Sequence, residues 1–271
     1  MPELPEVETT CRGLSPLLRG RTVSQVSVRD ARLRQPVPAD LSSRLTGQRL
    51  ESLTRRAKYL LFNFANGTLI VHLGMSGSLR VVAPAEPYQR HDHVDIGFGE
   101  ETCLRLRDPR RFGLMVWCED DPAAHPLLRH LGPEPFEGQF DGPYLAARAQ
   151  GRRGAVKNFI MDGRIVVGVG NIYASEALFR AGIHPARAAG RVSERRYSKL
   201  VGEIRCVLED AINAGGTTLR DFVRNDGQPG YFRHNLQVYG RAAQPCYSCG
   251  TAISVRTLGQ RSSFFCRACQ R

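Results

Sequence analysis

Tyr59-Leu-Leu-Phe-Asn-Phe64, the turn signal Ala65-Asn66-Gly67 and Leu69-Ile-Val-His-Leu73 form the stretch whose reading decides the fold. Two short runs rich in β-branched and aromatic residues, joined by a turn at Asn-Gly, predict an antiparallel pair. Working outward, short runs of the same kind recur at Thr22–Arg29, Arg49–Thr54, Leu79–Val82, His93–Phe98, Cys103–Asp108 and Gly113–Trp117. Eight short strands at this spacing predict an antiparallel sandwich or barrel. Before them, Val7, Cys11, Leu14 and Leu18 recur at helical spacing behind Pro5 and Glu6, which suit a first helical turn. That helix and the sheets are expected to share one core. After them, Leu131–Gly142 carries glycine, proline and acid without periodicity and reads as an interdomain linker. Helices are then expected at Pro143–Gln150, Ala155–Met161, Ile172–Ala181, Glu194–Ala214 and Leu219–Arg224, so the class is α+β with two domains.

The 271 residues hold 38 Lys and Arg against 26 Asp and Glu, a net charge of +12. That balance points to a polyanion, either nucleic acid or a membrane surface. No apolar run approaches the ~18 residues of a membrane span, and the acidic, proline-broken start lacks a signal-peptide core. A soluble, cytoplasmic protein is expected. Only Lys58, Lys157 and Lys199 are lysines. An amine transfers protons where a guanidinium does not, which singles these three out.

Chemistry gathers at the start, Met1-Pro-Glu-Leu-Pro-Glu-Val-Glu-Thr9. Removal of Met1 would expose Pro2 as a secondary amine. An α-amino group titrates near ~8, against ~10.4 for lysine, so part of it is unprotonated at neutral pH. Such an amine can attack an electrophilic carbon and form an iminium. Glu3 stands beside it as a proton donor. The alternative is a frayed terminus ahead of an ordinary amphipathic helix.

Four of eight cysteines lie in the tail, as Cys246-x2-Cys249 and Cys266-x2-Cys269. Two such knuckles supply four thiolates for a closed, structural Zn2+ site, with a pair of disulfides as the alternative. Strands at Ala252–Val255 and Ser262–Phe265 around Leu258–Arg261 would make this a zinc ribbon with Arg261 near its tip. Val167-Gly-Val-Gly-Asn171 lacks the third glycine of a dinucleotide fingerprint, but backbone amides and Asn171 at a helix start could hold a phosphate. Asp108-Pro-Arg-Arg-Phe-Gly113 and His72-Leu-Gly-Met-Ser-Gly77 place arginine, Phe112 and Met75 on turns. There they could act as wedges that unstack a duplex step, or pack in the core. His91-Asp-His93 lacks an evident third metal ligand and reads as a phosphate contact or strand packing. Asn225–Asn235 is a polar loop punctuated by glycine and proline.

Taken together, Met1–Thr9, Arg55-Arg-Ala-Lys-Tyr59, His72–Gly77, Asp108–Gly113, Val167–Glu176, Gly215–Leu219 and the cysteine tail with Arg261 resemble the bacterial formamidopyrimidine-DNA glycosylases, nearly end to end. The resemblance implies a β-sandwich domain over 1–132, a linker and first helix over 133–150, a helix–two-turn–helix module over 151–236 and a zinc ribbon over 237–271. It implies a monomer that removes oxidised purines from damaged double-stranded DNA and then cuts the strand. One structural Zn2+ and no small-molecule cofactor are implied. Pro2 would be the nucleophile, Glu3 the general acid, and Lys58 and Arg261 the proton donors of β- and δ-elimination. His91, Arg110 and Arg152 match DNA-binding positions. Met75, Arg110 and Phe112 match the triad that fills the duplex void, Lys157 and Asn171 match phosphate contacts, and 225–235 matches the end of a lid. Arg152 and Arg220 stand where relatives commonly carry lysine. Endonuclease VIII is a sibling reading against which Leu4, Met75 and Asp108–Gly113 argue. A non-catalytic zinc-ribbon protein binding DNA, or one acting on RNA, is a rival from another class.

Overall fold

The computed structural model describes residues 2–216 and 236–271. They fall into two compact units, one of residues 2–129 and 214–216, the other of 130–213 and 236–271. The expected helix at 219–224, Arg220 and the 225–235 loop lie outside the described residues.

The first unit begins with helix α1 (Leu4–Leu18), which carries Pro5 in its first turn. Its buried stripe of Val7, Cys11, Leu14 and Leu18 enters the core, as the 3.6-residue spacing predicts. Eight strands follow: β1 (Val23–Val28), β2 (Leu50–Arg56), β3 (Tyr59–Phe64), β4 (Gly67–His72), β5 (Ser78–Val82), β6 (Asp92–Phe98), β7 (Thr102–Arg107) and β8 (Leu114–Cys118). A five-residue helix, α2 (Leu41–Leu45), lies between β1 and β2. The strands form two antiparallel sheets of four, ordered β1-β6-β7-β5 and β2-β3-β4-β8. The β3–β4 hairpin pairs Tyr59 with His72 and Phe64 with Gly67, so Ala65 and Asn66 form a two-residue turn. Leu60, Phe62 and Phe64 face inward beside Leu69, Val71, Leu104 and Leu106. The α+β sandwich with its N-terminal helix is therefore the observed architecture.

In the second unit, α3 (Gly142–Ala149), α4 (Val156–Met161), α5 (Asn171–Ala181) and α6 (Glu194–Asn213) precede a hairpin of β9 (Ser254–Leu258) and β10 (Arg261–Phe265). The segment expected to be a linker is fastened here. The Arg205 guanidinium on α6 donates to the carbonyls of Pro135, Glu137 and Phe140 at 2.8, 3.1 and 2.7 Å. Phe140 itself is fully buried. Strand β9 starts two residues later than Ala252 and runs to Leu258. Gly259 and Gln260 then turn the chain with φ of +55° and +62°, the left-handed pair that a tight hairpin turn demands.

Candidate functional site

At the start of α1, Glu3 takes the capping position, and its N–H donates to Glu6 Oε2 at 2.8 Å. Pro2, Glu3 and Glu6 are buried, the two carboxylates at 2 % exposure each. A frayed terminus would not look like this. Two carboxylates removed from water at a helix N-terminus are stabilised there by the N–H groups they accept from in a reciprocal capping box.

Lys58 is half-buried in the two-residue turn between β2 and β3, where Ala57 has φ +55°. Arg55 ties that turn to α1. Its Nε donates to Glu8 Oε2 at 2.7 Å and its Nη1 to the Ala57 carbonyl at 3.0 Å. Burial raises the Glu8 pKa, but the guanidiniums of Arg55 and Arg12 outweigh it and hold the carboxyl below its usual range. Next along the strands stands His72, its ring 4.9 Å from that of Tyr59, its Nδ1 accepting the Gly74 N–H at 2.9 Å. Burial, then the charges of Lys58 and Arg34, push its pKa down to about 4, so the imidazole is neutral at pH 7.

Met75 and Phe112 sit on two loops that one carboxylate joins. Asp108 is fully buried. Its Oδ1 accepts from Ser76 Oγ at 3.0 Å and the Arg110 N–H at 3.3 Å, and its Oδ2 from the Gly113 N–H at 2.8 Å. Gly74, at φ +63°, lets the backbones close, because a Cβ there would fall within 2.6 Å of the Phe112 carbonyl. Phe112 remains 45 % exposed under the Arg110 guanidinium, 4.9 Å from ring centre to Cζ. Met75 is half-buried. An aromatic is thus held out beside an arginine on a braced loop. His91 is half-buried at φ +77°, and its carbonyl accepts the Asp108 N–H, which brings it to the same loop. Slight desolvation, Arg90 and His93 lower its pKa. No third metal ligand joins His91 and His93 among the described residues.

In the second unit, Asn171 opens α5 behind the capping residue Gly170. Lys157 does not reach outward. It is 1 % exposed, and its ammonium donates to Asn171 Oδ1, the Ser262 carbonyl and Ser263 Oγ at 2.7, 3.1 and 2.8 Å. Asn171 Nδ2 also donates to the Ser262 carbonyl, at 3.1 Å. Arg152 is exposed, its guanidinium 5.3 Å over Phe159. Arg261 is exposed at the hairpin tip. Cys246, Cys249, Cys266 and Cys269 bring their sulfurs within 4.8 Å of one another, a set that could bind a metal ion.

Sequence reasoning gave no role to Arg55, His72 or Glu176. Glu176 is 1 % exposed and accepts the N–H groups of Gln237, Val238 and Tyr239 at 2.8, 3.0 and 2.8 Å, holding the start of the ribbon on α5. Burial raises its pKa, and those three donors pull it back. The available signal was a lone acid inside the apolar run Ile172–Phe179.

A strongly basic, two-unit α+β protein, with a buried proline and carboxylate on a sandwich and a four-thiol hairpin on a helical unit, has the make-up of a DNA-processing protein. Comparison with known proteins defines it further. Residues 1–115 match the formamidopyrimidine-DNA glycosylase N-terminal domain, and 131–223 match the H2TH domain of the same proteins. The formamidopyrimidine-DNA glycosylase of Alkalilimnicola ehrlichii is 60% identical over 277 residues, covering 100% of both chains. That of Methylococcus capsulatus is 58% identical over 271 residues, again covering 100% of both. Among solved structures, the MutM (Fpg) protein of Thermus thermophilus superposes with a TM-score of 0.88 at 39% identity, over 99% of this chain and 98% of that one. A Lactococcus lactis Fpg variant bound to DNA containing Fapy-dG gives 0.93 at 30% identity, over 100% of both. The chain belongs to the formamidopyrimidine-DNA glycosylase family.

Proposed function

We propose that this protein is a base-excision repair enzyme that removes oxidised purines, 8-oxoguanine and formamidopyrimidines, from duplex DNA and cleaves the strand at the abasic site left behind. The burial of Pro2 and Glu3 together at the head of α1, in a chain that matches its family from end to end, carries this reading. With Met1 removed, the Pro2 nitrogen attacks C1′ of a flipped nucleotide and the base leaves with a proton. Glu3 donates a proton to the sugar oxygen as the ring opens to the iminium. The iminium acidifies the C2′ proton, and its loss expels the 3′ phosphate. Lys58 and Arg261 serve the proton transfers of the two eliminations. Met75, Arg110 and Phe112 fill the gap in the duplex, while His91, Arg152 and Asn171 meet phosphates. Lys157 acts through Asn171, which its ammonium holds in place.

The thiolate tetrad takes one structural Zn2+. A tetrahedron with Zn–S bonds of ~2.3 Å sets its sulfurs about 3.8 Å apart. Here the pairs Cys246–Cys269 and Cys249–Cys266 lie at 4.0 and 3.5 Å. Four thiolates leave no open position for water, so the metal's contribution is to hold the hairpin that carries Arg261.

Borohydride trapping tests the reading, on a duplex with 8-oxoguanine opposite cytosine beside one with an oxidised pyrimidine. A covalent adduct at Pro2, stronger on the purine lesion, is expected. Stronger trapping on the pyrimidine would assign the chain to its endonuclease VIII sibling's chemistry. No adduct on either would leave a DNA-binding protein.

A further inference from the structure

Lys58 is placed by a turn whose geometry its own residues do not favour. Ala57 lies at φ +55°, a conformation that glycine or asparagine adopts more cheaply than alanine. A two-residue turn with this strain needs support from outside. The Arg55 guanidinium supplies two restraints from one planar group: Nη1 on the Ala57 carbonyl, which closes the turn, and Nε on Glu8, about one helical turn into α1. The pair is well sheltered, at 11% exposure for Arg55 and 19% for Glu8. Glu8 is also held by Arg12 at 2.6 Å, so the carboxylate is fixed at both oxygens. Cys11, one turn further along α1, donates to the Leu53 carbonyl at 3.6 Å and repeats the attachment of α1 to β2.

We propose that Arg55, braced by Glu8, is the positioning residue of Lys58: it fixes the lysine's turn to the helix that begins at Glu3 and Pro2, and so sets the reach of the ammonium during elimination. The proposal rests on the reading of Lys58 as a proton-transfer group. Nε and Nη1 reach the carboxylate and the carbonyl from two separate nitrogens of one rigid plane, a spacing that the single nitrogen of a lysine does not reproduce, which explains arginine at this position independently of the chain's general arginine excess.

The test is a double-mutant cycle on single-turnover strand cleavage of a duplex with a preformed abasic site, using the full chain as wild type, R55Q, K58A and the double variant. R55Q is expected to slow cleavage roughly tenfold, the scale of a sub-ångström misplacement of a reacting group. In the K58A background it is expected to add nothing, because the residue it positions is gone. R55K should fail to rescue. An equal slowing by R55Q in both backgrounds, or no slowing beside an intact Lys58, overturns the proposal while leaving Lys58 its role. A K58A variant as fast as wild type removes the role of Lys58 and the strut with it. If R55Q does not fold, E8Q removes the same brace from the α1 side and runs through the same cycle.

Discussion

Lowering the pH should destabilise the first unit through His72, and the size of the effect follows from its surroundings. The imidazole is pushed from 6.5 to about 4, by burial first and then by Lys58 and Arg34. In the unfolded chain the ring takes up a proton near pH 6.5, whereas the folded protein resists until about pH 4. A histidine whose folded pKa is depressed stabilises the fold fully above ~6.5, and the contribution is lost as pH falls from there toward ~4. The shift corresponds to about 3 kcal/mol, of which about 2 kcal/mol is gone by pH 5. Carboxylates titrate in part of the same window, so the useful quantity is a difference between two proteins. Urea unfolding of wild type and His72→Asn at pH 7.5 and pH 5 should show the wild type losing about 2 kcal/mol more than the variant. Parallel losses, or a His72 ring resonance that titrates near 6.5, would refute the assignment of a buried neutral imidazole.

Gly74→Ala places a Cβ against the Phe112 carbonyl at a backbone angle alanine avoids. It should cost about 2–4 kcal/mol and be read as a lower thermal midpoint with no change in zinc content. Lys157→Met removes the donor to Asn171 Oδ1 and Ser263 Oγ and leaves the Ser262 carbonyl with Asn171 Nδ2 alone. A loss of about 2–3 kcal/mol in urea unfolding is expected, and an unchanged midpoint would show the three bonds to be replaceable by water. Stripping the metal with a strong chelator should unfold the hairpin and abolish DNA cleavage, with recovery on adding Zn2+ back. Cys269→Ala should bind no zinc and show no recovery.

Strand β3 was legible because its alternation matches its burial, with Tyr59, Leu61 and Asn63 half-buried and Leu60, Phe62 and Phe64 inside. Strand β7 shows what alternation leaves out. Thr102-Cys-Leu-Arg-Leu-Arg107 reads as one face inward and one wet, yet Arg105 is 2 % exposed. It donates to Asp95 at 2.9 Å and to the Glu86 and Pro87 carbonyls of the segment crossing over it. A period of two separates the faces of a strand but does not say whether a distant segment covers the outer one. The same limit applies to Lys157. Its helix is short, and nothing in Val156–Met161 tells that β10 will lie over it. Helix α2, at five residues, is too brief for any periodicity to register. The cysteine cluster was legible because its spacing is itself the signal. The roles of Arg55 and Asp108 depend on partners 47 and 32 residues away, which local patterns cannot carry.

The ammonium of Lys157, beside the Asn171–Ser262 bond, ties together the head of α5 and the second strand of the hairpin. Whatever loosens the hairpin at its thiolate end slackens the grip on Asn171, and whatever seizes Asn171 stiffens the hairpin. A coupling through this tie would be equal in both directions. With a phosphate at the helix head and an ion among the thiolates, as proposed above, each would then slow the escape of the other. On that reading the hairpin is a tensioner as well as the mount for Arg261 at its tip.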